Sequence, residues 1–130
     1  MKANTGEWLG SVKGNRRDFV VTLFVPSQTR DGDPIDHKFW RTQALEAMTS
    51  LFGGATAIEC EGAWRDDDRG GSVKTEKVSA VVSLMTKSTW NSATVWVLRE
   101  FLHRMGREAN QGEVGLIVDN VYFPIREFDK

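Results

Sequence analysis

What most constrains this chain is the order in which its hydrophobic periodicity changes: an apolar run, a helical stripe, two alternating runs, a second helical stripe and a last apolar run. Phe19 to Val25 is almost wholly β-branched or aromatic, the pattern of a covered strand, and Pro26, with no amide hydrogen for a ladder, ends it. After a turn-rich loop containing Asp31-Gly32 and Asp33-Pro34, Asp36 stands where its carboxylate accepts from the free amides of a helix's first turn. Trp40, Ala44, Ala47, Met48 and Leu51 then recur at helical spacing, leaving Arg41, Gln43 and Glu46 for solvent, and Gly53-Gly54 stops the helix.

From Thr56 to Trp64 the period falls to two, with Ile58, Cys60 and Trp64 on one side and Glu59 and Glu61 on the other. Alternating glutamates predict an edge strand, because charge there discourages pairing with stray chains. Cys60 reads as an inward-facing, small apolar residue. The loop from Arg65 to Gly71 makes this strand one arm of a hairpin. On the other arm Val78, Ala80, Val82 and Leu84 share a face, which places Val82 beneath the helices. Ser88 is the expected cap of the second helix, with Trp90, Ala93, Thr94, Val97, Leu98, Phe101, Leu102 and Met105 as its apolar side. That helix ends near Asn110 to Gly112, Glu113 to Val118 is again a strand, and Asp119-Asn120 turns it into a short hairpin with Val121 to Ile125.

Strand, helix, strand, strand, helix, strand is the split βαβ succession, in which right-handed crossovers place both helices on one face of the sheet. The expected class is α+β: a ferredoxin-like βαββαβ sandwich, strands in the order fourth, first, third, second, with an extra C-terminal hairpin strand. Residues 1–130 form one domain, and 1–18, with Gly6, Gly10 and Gly14 and only Trp8, Leu9 and Val12 to bury, read as a loosely docked arm. The helix-free face, to which Val20 or Val21, Val81 and Met85 are assigned, needs another cover. A second copy, or the arm together with the last hairpin, would supply it.

The runs Phe52-Gly53-Gly54-Ala55-Thr56 and Gly62-Ala63-Trp64-Arg65-Asp66, followed by Glu76 ahead of an apolar strand, resemble a family of small bacterial ferredoxin-like domains of uncharacterised function. The resemblance spans about the middle third of the chain. It implies the same fold and assigns no catalytic residue.

In this topology the loops Arg30 to His37, Arg65 to Gly71 and Arg107 to Glu113 fall at one end of the sheet, which makes that end the candidate site. Arg65, Arg69 and Arg107 suit a small anionic ligand through paired guanidinium bonds, although each also has an acid nearby. Asp66, Asp67 and Asp68 offer hard oxygens, but neither a calcium-loop nor a two-metal spacing is present, so no metal and no cofactor is expected. Glu108, Asn110, Gln111 and Glu113 make an unusually polar helix exit, fit either to bind or to brace, and His37 at a helix start is the better placed of two histidines for proton transfer.

A net charge of -1 gives no overall field for a phosphate backbone, so nucleic acid is not the expected partner. The single cysteine, and the absence of a signal-like or membrane-length apolar run, point to the cytoplasm. The leading expectation is a dimeric module that binds a protein or a small ligand without catalysis. A metal-assisted hydrolase of phosphate esters or nucleotides and a structural partner subunit are the alternatives, so enzyme status stays open.

Overall fold

The computed structural model describes residues 5–12, 14 and 16–129. Along them run α1 (Thr5–Trp8), β1 (Phe19–Val25), α2 (His37–Phe52), β2 (Thr56–Asp66), β3 (Ser72–Met85), α3 (Ser92–Glu108), β4 (Val114–Val118) and β5 (Val121–Ile125). Every neighbouring strand pair is antiparallel, in the order β2-β3-β1-β4-β5. This is the α+β split βαβ arrangement with the extra hairpin strand. β4 turns into β5 through Asp119, whose φ of 56° is one that a short polar side chain tolerates. β2 forms one edge of the sheet, and β5, which carries Pro124, forms the other.

The Asp36 carboxylate accepts from the Phe39 amide at 3.0 Å, and Gly53, at φ 91°, donates its amide back to Thr49, so both ends of α2 are closed as the sequence indicates. Asp36→Ala is expected to cost about 1 kcal/mol, read as a fall of a few degrees in thermal midpoint; an unchanged midpoint would show that the cap contributes nothing. The cap of α3 is Asn91, not Ser88. The Asn91 side-chain oxygen accepts from the amides of Ala93 and Thr94, while Thr94 Oγ1 accepts from the Asn91 amide. Ser88 lies in a single 3-10 turn, Lys87–Thr89, so Trp90 precedes the helix and sets its ring beside those of Phe19 and Phe52.

Phe19, Val21, Leu23 and Val25 of β1 meet Trp40, Ala44, Met48 and Phe52 of α2 and Leu98, Leu102 and Met105 of α3 in one core. Here the expected phase of β3 is overturned. Ser79, Val81, Ser83 and Met85 are buried on the helix side, while Val78, Ala80 and Val82 are half-buried and Leu84 is exposed on the other. Val81, Met85 and Val21 therefore belong under the helices, and the helix-free face is built from Val20, Thr22 and Phe24 with the even-numbered residues of β3. Cross-strand pairing puts Ile58, Cys60 and Trp64 of β2 on that same open face, where all three are exposed; Cys60 is not an inward-facing residue.

The described part of the arm leaves Trp8, Leu9 and Val12 exposed, so it does not shelter the open face; positions 1–4, 13 and 15 of the expected arm lie outside the described residues. At the other end the chain folds back after β5 onto α3. The Phe128 ring fills the space over Gly106, leaving no room there for a Cβ, and the Asp129 amide donates to His103 Nδ1 at 2.7 Å. Among the described residues no helix is long and apolar enough to cross a membrane.

Candidate functional site

β1 runs out of partners at Val25, which lies opposite Ser79, yet β3 begins at Ser72. The seven residues Ser72 to Val78 therefore pair only with β2 and project as a ribbon roughly 23 Å long at 3.3 Å per residue. The Arg65–Gly71 tip is thus at the predicted end of the sheet but stands well out from it. Its polar contacts run within the ribbon: Arg65 Nε to Asp67 at 2.6 Å, Arg69 to Asp66 at 3.7 Å, and Ser72 Oγ to the Arg69 carbonyl. Asp68 is exposed. Among the described residues no three of His, Cys, Asp and Glu are gathered to hold a metal ion.

The α3 exit acts as a brace. Gln111 Nε2 donates to the carbonyls of Gln28 at 2.7 Å and Ala109 at 2.9 Å, the Arg30 amide donates to the Asn110 carbonyl, Arg107 donates to the Asp129 carbonyl, and Glu108 pairs with Arg104. Glu113 accepts from Tyr122 at 2.7 Å and from Arg126 at 2.9 Å. The first and third predicted loops are brought together, then, but through bonds that fasten one to the other.

Burial, together with the bond to Glu113, pushes the Tyr122 phenol up to about 12 from an ordinary value of 10.0. The folded state thus keeps this proton longer than the unfolded chain does. Its contribution to stability is whole below pH 10.0 and is lost as pH rises to about 12. Because Tyr122 is the only tyrosine, the ultraviolet absorbance of phenolate should show a single transition near pH 12, moving toward 10 on denaturation. A native transition already near 10 would show that neither the burial of the phenol nor its bond to Glu113 is kept in solution.

Where the ribbon leaves the sheet, a groove of ≈ 450 Å³ opens. Glu59, Glu61, Thr75, Glu76 and Lys77 of the hairpin form one wall, and Ser27, Gln28, Pro34 and His37 form the other. Glu76 Oε2 accepts from the successive amides of Ser27 and Gln28, at 2.8 and 3.0 Å, and so clamps the loop to the ribbon. Deeper in, Arg41 of α2 pairs with Glu59, while Ser79 Oγ lies 2.6 Å from Glu59 and 2.8 Å from His37 Nε2. These bonds from Ser79 and Arg41 hold the Glu59 carboxyl below the usual range. The two walls together carry three carboxylates against one lysine and one histidine, a lining suited to positive charge and to hydroxyl donors.

Of the residues nominated from sequence, only His37 lines this groove. Glu59 and Glu61 pass at the sequence level as guards of an edge strand. The signal for them was the hairpin register, which sets Glu59 across from Ser79 and Glu61 across from Lys77.

A scan of protein families and a search of curated proteins match nothing to this chain. Among solved structures it is similar to a phage SAM lyase in complex with S-methyl-5'-thioadenosine, with TM-score 0.57 and 14% identity over 84% of this chain and 89% of that one. It is also similar to a phage SAM lyase in the apo state, with TM-score 0.56 and 10% identity over 85% and 90%. At these identities the likeness is one of fold.

Proposed function

We propose that this chain is a ligand-binding module whose groove takes a small, positively charged, nucleoside-like molecule, and that it works as a homodimer closed through the open sheet face. The observation that carries the reading is the convergence of Glu59, Glu61 and Glu76 on one groove at the polar end of the sheet. Carboxylates accept from ribose hydroxyls and offset a sulfonium or ammonium charge. The likeness to a SAM lyase supports the choice of ligand class, since SAM (S-adenosylmethionine) is an adenosine sulfonium. The anionic ligand expected from Arg65, Arg69 and Arg107 gives way here, because those guanidiniums are engaged with Asp67, Asp66 and the chain near Asp129. Cys60, exposed and unpaired, fits a reducing cytoplasm.

Calorimetric titration tests this reading. SAM should bind more tightly than the uncharged S-methyl-5'-thioadenosine and far more tightly than ATP, and Glu61→Gln should weaken SAM by roughly tenfold, about 1.4 kcal/mol. Preference for ATP, or indifference to Glu61→Gln, would refute it. A second reading, catalysis on the bound ligand, is favoured by the likeness to a lyase. Incubation with SAM would reveal it as accumulating S-methyl-5'-thioadenosine.

A further inference from the structure

Ser79 is fully buried behind two groove-lining residues and makes two short contacts with its hydroxyl, to Glu59 Oε1 at 2.6 Å and to His37 Nε2 at 2.8 Å. A hydroxyl has one hydrogen to donate. The other ring nitrogen of His37 faces the Pro26 carbonyl oxygen at 2.7 Å, and a carbonyl only accepts, so Nδ1 carries a hydrogen. If Ser79 donates to Glu59, the ring must donate from Nε2 as well and is an imidazolium. If Ser79 donates to Nε2, the contact with Glu59 must be donated by a protonated carboxyl. In either arrangement the three side chains share one proton beyond those of a neutral imidazole, a hydroxyl and a carboxylate. Arg41, which also donates to Glu59, favours the form with the charge on the ring.

We propose that this extra proton is the groove's internal counter-charge, and that a cationic ligand binds by displacing it, so that binding releases one proton from the His37–Ser79–Glu59 cluster to solvent. The inference rests on the groove being a cation site. His37 Nε2 lies 3.5 Å from Glu59 Oε2, close enough for the imidazolium to compete with an arriving cation for the same carboxylate. The other charges around the ring are Arg41 on α2, Glu61, Glu76 and Lys77 on the hairpin, and its chain neighbours Asp36 and Lys38; the loop contributes only the uncharged Ser27, Gln28 and Pro34. Arg41 is paired with Glu59 and a guanidinium does not give up its proton, which leaves the proton on His37 as the displaceable charge.

The test is a titration of the full chain with SAM in two buffers of equal pH but different ionisation enthalpy, repeated from mildly acidic to neutral pH. About one proton should be released per SAM bound, and affinity should rise with pH by up to roughly tenfold per unit while the cluster is charged. Both effects should vanish in His37→Gln. In the unaltered protein, nitrogen NMR of the His37 ring should show two ring hydrogens before SAM is added and one after, a readout that does not depend on how the variant folds. SAM binding with no buffer dependence and an unchanged ring would overturn the coupling and leave the ligand reading standing. Absence of SAM binding at every pH would remove both.

Discussion

Val81→Asp is expected to leave no folded protein, whereas Val82→Asp, one residue further along the same strand, should fold. Val81 is wholly inaccessible between Leu23 and Ala57 beneath the helices, so a carboxylate there has neither water nor a partner. The cost of several kcal/mol competes with a net stability of about 5–15 kcal/mol. Val82 lies between Thr22 and Thr56 on the open face, where an aspartate keeps its hydration. Circular dichroism and denaturant melts separate the two variants. Light scattering adds a second reading, because a homodimer closed through the open face should become monomeric with Val82→Asp. A folded Val81→Asp beside an unfolded Val82→Asp would reverse the sheet's two faces.

Trp40→Ala should cost about 3–5 kcal/mol, the range for deleting a large buried aromatic. The ring is 6% exposed and joins the two long helices: Phe101 of α3 meets it edge-on at 6.4 Å, and the Arg104 guanidinium lies 5.3 Å from its centre while bonding Gln43 of α2. Removing it opens a cavity and strips Arg104 of a face to rest on. Trp96→Ala is the control, since that ring is 59% exposed, with Arg99 over it, and its loss should stay within about 0.5 kcal/mol. Equal midpoints for the two variants would mean that α2 and α3 are not clamped at Trp40.

The architecture was legible because β1, α2 and the β4–β5 hairpin each announce themselves by several signals at once, such as Asp36, the Trp40–Ala44–Met48 stripe and Gly53 for α2. The phase of β3 was not legible from apolarity. Its more apolar side, Val78, Ala80, Val82 and Leu84, faces outward, while two serines face the core. Those serines are stable there because both are bonded, Ser83 to the Gly54 carbonyl at 2.8 Å and Ser79 to Glu59 and His37. The start of α3 was misplaced for a related reason. Ser88 and Asn91 are both good caps, and only the reciprocal bond with Thr94 selects Asn91. For the candidate site, the sequence pointed to the end of the sheet where the groove opens but not to the groove itself. Ribbon length depends on where β1 stops pairing with β3, a tertiary fact that no stretch of either strand encodes alone.

Pro124 gives the two rims of the sheet different fates. A proline is tolerated in a paired strand with its nitrogen on the free side, so β5 meets solvent one donor short, whereas the eleven residues of β2 present an unbroken rim. Endless stacking of sheets, the route to fibres, needs two receptive rims per molecule so that each copy recruits the next. With Pro124 blunting one rim and Glu59 and Glu61 charging the other, each edge disfavours the addition of a further copy, even though so much of the sheet is uncovered.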